Sequence, residues 1–211
     1  MPTNNDLRPY HRVAVAASVD VVARVAVGDL DRPTPCAGWT LGDLLTHMTV
    51  QHNGFAAAAR GEGADLAVWD PAGVAAAVAA DPVSAYAAAA SDLLDAFSAD
   101  GVLDAPFAMP EFGPDAVVPG AMAIGFHFVD YVVHGWDVAR SVEAPFELPA
   151  DVVAAALPVA LGVPDTEIRD APNSPFARAL QLRDGTNDLD AVLRHLGRSP
   201  DWRPDPVSAG R

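Results

Sequence analysis

The chain has 211 residues, of which 51% belong to the apolar AVILMFWYC set and 19% are charged, a balance that supports a sizeable core and excludes a disordered chain. The net charge of −15 sets up a field that repels phosphate backbones and anionic lipid, which excludes nucleic acid and membrane surfaces as partners. All 13 basic residues are arginine, so Schiff-base chemistry, which needs a lysine amine, is excluded too.

Taken in chain order, "MPTNNDLRPYHR" has no apolar stretch of the kind a secretory signal carries. Apolar residues then recur with helical spacing and predict a helix over 7–27, with Pro9 tolerated in its first turn. "DRPTPCAG" reads as a loop. It holds Cys36, the only cysteine, so no internal disulfide can form and a reducing cytoplasm fits. Thr40 is the expected N-cap of a second helix, with Asp43 three residues on, and Gly61 its expected end. "GEGADLAVWDPAG" reads as a loop, and Asp81-Pro82 opens a helix over 81–98. The stretch 100–120, rich in Pro and Gly and without period, predicts a crossover or a lid over a site. A fourth long helix is predicted over 120–142 and shorter ones over 148–161 and 187–197, separated by a Pro-rich irregular stretch. The apolar run 117–139 is not a membrane span, because three ionisable residues between 127 and 134 would each be costly in hydrocarbon.

The fourth helix carries the main question. At about 100° per residue, His127, Asp130, His134 and Asp137 fall in a stripe roughly 80° wide, on a helix otherwise apolar nearly all round. Polar groups in such a setting need partners, and a metal ion is one. Asp130 and His134 stand one turn apart and can reach a single ion, but a D-x3-H pair is more often a salt bridge, and spacing leaves both readings open. A carboxylate with imidazoles suits Zn, Ni or Fe rather than Mg or Ca. The predicted second helix offers His47 and His52. On the helical wheel His52 sits near the middle of the Leu41, Leu44, Leu45, Met48, Phe55 stripe and His47 about 120° off its centre, so periodicity favours His52 as the inward histidine.

Two motifs together resemble the DinB-like metal-binding family, in the branch of the mycothiol-dependent maleylpyruvate isomerase N-terminal domain. "PTPCAGWTLGDLLTHMTVQHNGF" is similar to the family's W-T-x-x-D-L-x-x-H signature, and "DYVVHGWDVARS" to its second signature, an acid or His followed by His-Gly/Thr-x-Asp. "DLDAVLRHLGRSPDW" resembles the C-terminal end of an actinobacterial branch. The resemblance implies an all-α fold, a four-helix bundle with a long crossover and short additional C-terminal helices. The whole chain would form one domain over 1–211, with a core over 7–142, a helical extension over 143–202 and a loose tail over 203–211. It implies His47, Asp130 and His134 as metal ligands, against the preference of the wheel for His52. Isomerase-type members carry Glu where Asp130 stands, and they have a further C-terminal domain that this chain is too short to contain, so maleylpyruvate isomerisation is not the expected reaction.

The remaining marked residues have quieter readings. Cys36 is expected to be small and buried, Trp39 to pack where the second helix begins, and Asp43 either to orient His47 or to serve the helix N-terminus. Asp137 is either a partner of the site or a salt bridge to Arg140, Gln51 a hydrogen-bond partner for a metal-bound water, and His127 a reserve ligand. His11 and His195 read as surface or edge residues. Three protein ligands would leave a coordination position open, the mark of a catalytic site. The leading expectation is a metal-dependent thiol S-transferase or detoxifying enzyme, Zn first with Ni or Fe as alternatives. It would use mycothiol or a similar thiol and a small-molecule electrophile, with a homodimer left open. A non-catalytic metal sensor or stress-response module, and a metal-free helical interaction protein, are the alternatives.

Overall fold

Thr40 starts the helix on which the site depends. Its hydroxyl accepts from the Asp43 backbone N–H at 3.2 Å, while the Asp43 carboxylate accepts from the Thr40 backbone N–H at 2.9 Å, a reciprocal capping box. Asp43 therefore serves the helix terminus rather than the His47 ring. The computed structural model describes residues 6–171 and 174–204. Among the described residues seven helices follow in order: α1 Arg8–Val22, α2 Leu41–Ala59, α3 Ala72–Ala80, α4 Pro82–Phe97, α5 Gly120–Ser141, α6 Ala150–Leu161 and α7 Asp188–His195.

Helices α1, α5, α2 and α4 close a ring in which each packs against the next, and this ring is the four-helix bundle. Its centre is apolar, with Val15, Leu41, Leu44, Leu45, Met48, Tyr86, Tyr131 and Val138 buried together. A second apolar cluster joins the outer face of α5, through Phe128, Val132 and Trp136, to Val152 and Ala156 of α6 and Val192 and Leu193 of α7. The C-terminal helices thus cover α5, which explains why α5 is apolar almost all round. Exceptions stand near its start, where Met122 is exposed.

Three elements depart from the sequence expectation. Helix α1 ends at Val22 rather than 27, because Arg24 and Val25 bond back three residues to Val21 and Val22 and the tightened turn leads the chain away. The expected loop after Gly61 contains a 3₁₀ turn at Leu66–Trp69, and α3 follows it at once. The Ala-rich α3 is largely exposed, with only Val78 buried, so no amphipathic period marked it. The crossover between α4 and α5 holds a short antiparallel pair, β1 Pro106–Ala108 with β2 Val117–Pro119, in the register Phe107 opposite Val118. Phe107 is its one fully buried residue, so alternation over three residues left no signal. Of the expected tail, 205–211 lies outside the described residues, and among the described residues no helix is long and apolar enough to cross a membrane.

Candidate metal centre

Helices α2 and α5 face each other, and their polar side chains meet at the crevice between them. His47, Asp130 and His134 each bring one donor atom into a group whose members all lie within 4.8 Å of one another. Asp130 divides its carboxylate between the two rings: Oδ1 lies 3.3 Å from His134 Nε2, and Oδ2 lies 3.9 Å from His47 Nε2. Two donors held about 2.1 Å from a tetrahedral ion stand about 3.4 Å apart, so the three side chains fit an ion with small adjustments. The site opens outward, since the His47 side chain is 30% exposed and that of His134 only 4%. The half-exposed Trp39 ring packs beside His47 with centroids 5.0 Å apart.

Burial alone would raise the Asp130 carboxyl, but the His134 and His47 rings outweigh it and hold the group well below the usual carboxylate range. Burial would likewise lower His134, yet the Asp130 and Asp137 carboxylates push it well above the ordinary histidine value. The pocket therefore favours positive charge at its centre, which a protonated imidazole or a cation supplies.

Behind His134 stands a second, fully buried group. The Nδ1–H of His134 donates to Asp137 Oδ2 at 3.0 Å, the Cys36 thiol donates to the same oxygen at 3.2 Å, and Arg198 donates to it from Nη2 at 3.2 Å. Arg198 Nη2 also lies 3.0 Å from Cys36 Sγ. Cys36, His134 and Asp137 have metal-like spacing. The guanidinium already supplies the positive charge there, and a cation beside it would be repelled, so this group supports the first one rather than forming another. Asp137 is thus a partner of the site and makes no salt bridge to Arg140, which instead lies over the Trp136 ring. Cys36 is buried as expected, at the edge of the apolar core and with its thiol against Asp137 and Arg198.

The other histidines settle differently. His52 is fully buried, as the helical wheel had it, but in the interior and away from the crevice. Its Nδ1 lies 3.2 Å from His127 Nε2, and His127 Nδ1 lies 2.9 Å from His11 Nε2, a line of three imidazoles of which His52 and His127 stack on Tyr131. His127 is no reserve ligand: both its nitrogens are engaged in this line. His11 is no surface residue either: it is buried at 1% exposure, because α1 turns it onto α5. His195 is half-buried and its ring bonds the Val163 carbonyl, an edge position as expected. Gln51 donates to Glu111 Oε1 at 2.7 Å, which ties the 3₁₀ turn Pro110–Phe112 between the two strands to α2. Arg198 lies in the C-terminal segment that the resemblance marked, but nothing in the sequence paired it with Asp137, 61 residues away.

A four-helix bundle with a long crossover, carrying a histidine on one helix opposite a D-x3-H pair on its neighbour, has the DinB-like architecture. The family model described as the mycothiol maleylpyruvate isomerase N-terminal domain matches residues 11–139, and the chain belongs to that family. Two relatives, the uncharacterized proteins Rv0738 and MT0763 of Mycobacterium tuberculosis (strains ATCC 25618 / H37Rv and CDC 1551 / Oshkosh), are each 27% identical over 189 residues, covering 90% of this chain and 96% of theirs. The crystal structure of the mycothiol-dependent maleylpyruvate isomerase is similar with a TM-score of 0.58 at 14% identity, over 80% of this chain and 72% of that one, a likeness of fold.

Proposed function

We propose that His47, Asp130 and His134 bind a divalent metal, Zn first with Ni or Fe as alternatives, and that the protein is a metal-dependent S-transferase for a low-molecular-weight thiol of the mycothiol type. The observation that carries the reading is the state of His134. Its Nδ1 is committed to a buried carboxylate while its Nε2 points at Asp130 and the crevice, the arrangement in which a ligating imidazole is held. An ion there would lower the pKa of a bound water or thiol towards neutrality. The chain's own residues do the rest. Asp130 and the two histidines hold the centre, His47 and Trp39 stand at the mouth where a substrate enters, and the buried Asp137 fixes the His134 ring. The family supports a thiol as the small-molecule partner, with a small electrophile as its acceptor and a cytoplasmic setting, where thiols stay reduced. The three ligands and their supports lie in one chain, so the reading requires no second copy.

Elemental analysis of protein purified without a nickel column tests the metal, with about one equivalent of Zn, Ni or Fe expected. Protein that carries no metal and takes up none overturns the reading. Consumption of mycothiol with an activated electrophile, compared with the His134→Ala variant, tests the transfer. Stoichiometric metal without thiol turnover would favour a metal-binding sensor in its place.

A further inference from the structure

We infer that Arg198 is a positioning residue for this centre, supplied by the C-terminal segment outside the region that the family model matches; the inference rests on the metal reading above. The local fold places it. Helix α7 closes with Gly197 in the left-handed region at φ 79°, where the Gly197 N–H bonds the Arg194 carbonyl and the Arg198 N–H bonds the Leu193 carbonyl at 2.8 Å. This is the terminating arrangement in which the residue after the glycine is turned back towards the helix. The Arg198 side chain accordingly runs inward and is 6% exposed.

Each edge of its guanidinium is engaged. Nε and Nη2 donate to Asp137 Oδ2 at 3.4 and 3.2 Å, Nη2 also reaches Cys36 Sγ, and Nη1 donates to the Leu196 carbonyl at 3.2 Å. Asp137 therefore receives His134, Cys36 and Arg198 on one oxygen, while its Oδ1 is buried without a partner. A carboxylate bonded so one-sidedly is held by its donors alone. Without the planar fork of Arg198, Asp137 is free to rotate and the hold on His134 Nδ1 is lost. Nε2 is then no longer fixed towards Asp130 and His47. The C-terminal segment thus completes a centre whose ligands all lie between residues 47 and 134.

The test is a Co²⁺ titration of the full chain followed by optical absorption. Arg198→Met is expected to weaken Co²⁺ binding about 10- to 100-fold and to alter the d–d band. Arg194→Met is the control, because Arg194 is equally buried in the same segment but bonds the Gln181 carbonyl and lies near Asp201, and it should leave affinity and band unchanged. Equal losses in both variants, or no loss in Arg198→Met, overturn the inference. Should Arg198→Met not fold, Arg198→Lys replaces it, a charge without the fork, and unchanged affinity there is also fatal. The histidine ¹⁵N–¹H spectrum of the ion-free chain gives a second readout: a protected His134 Nδ1–H in the wild type that vanishes in the variant supports positioning, and one that persists refutes it. A wild type that binds no Co²⁺ removes the metal reading, while the Nδ1–H signal still decides whether Arg198 holds the ring.

Discussion

His47 and His52 lie five residues apart on one helix and meet different fates. His47 stands at the crevice and His52 is wholly buried. His47→Ala is expected to abolish metal uptake, because two remaining donors hold a Zn-like ion weakly. His52→Ala should keep the metal and lose roughly 2–4 kcal/mol of stability through the cavity it leaves, measured by urea denaturation. The opposite pattern of uptake would move the centre into the interior. The line of His11, His127 and His52 also makes stability depend on pH. Burial lowers all three, His11 to about 3 and the others well below the ordinary value. The unfolded chain takes up their protons near pH 6.5 while the folded chain does not, so their contribution to stability is level above about 6.5 and falls as pH drops towards the folded values. His134 is shifted upward and acts in a different window: its contribution is full below about 6.5 and is lost as pH rises above it. The unfolding free energy, measured by urea denaturation, should fall by up to about 3 kcal/mol between about pH 6.5 and 5.5, and a level profile there would show that the three rings are not held neutral. The helical wheel read the inwardness of His52 correctly. It does not say which histidine reaches the polar group between α2 and α5, and there it is His47 that stands beside Asp130.

Helix α5 is legible in the sequence from end to end because it is long and continuously apolar, and α2 because its capping box and first turn are local. The exposed α3 and the three-residue strands were not, since neither is long enough, or amphipathic enough, for a period to show. Within α5 the glycine after His134 has a packing reason. A Cβ on Gly135 would lie 2.6 Å from the Phe146 ring, which fills the notch beside Ser18. Gly135→Ala should therefore cost about 1–3 kcal/mol by overpacking, despite the better helix propensity of alanine. A thermal melt of the variant checks this, and a gain in stability would mean that Phe146 moves aside freely. Because Phe146 belongs to the segment leading to α6, the same variant should loosen how the C-terminal helices seat on α5.

At the scale of the whole molecule, the candidate centre joins parts of the chain that are far apart in sequence: α2, α5, the loop holding Cys36 and Arg198 just beyond α7. An ion bound there is bound only by the folded state. At a thousandfold excess over Kd it should add on the order of 4 kcal/mol of stability, or a rise in Tm of roughly 10 °C for a chain of this size. Calorimetry with and without a chelator measures the increment, and His134→Ala should show none of it. An unchanged wild-type Tm would mean that no ion contributes to the fold. This long reach was the least legible feature of the sequence. Two local motifs mark His47, Asp130 and His134, whereas the contact between Arg198 and Asp137 exists only once the C-terminal helices have covered α5.

The placement of Trp39 beside His47 gives the centre an optical reporter. The other described indoles are less exposed: Trp69 and Trp136 are buried, and Trp202 is half-buried at the C-terminal end. The Trp39 ring centre is 5.0 Å from that of His47, so Cu²⁺ or Co²⁺ bound by His47 would lie well inside the range over which these ions extinguish emission. Occupancy can therefore be followed as a loss of tryptophan fluorescence that Trp39→Phe removes, in unlabelled protein and without waiting for a substrate to be found.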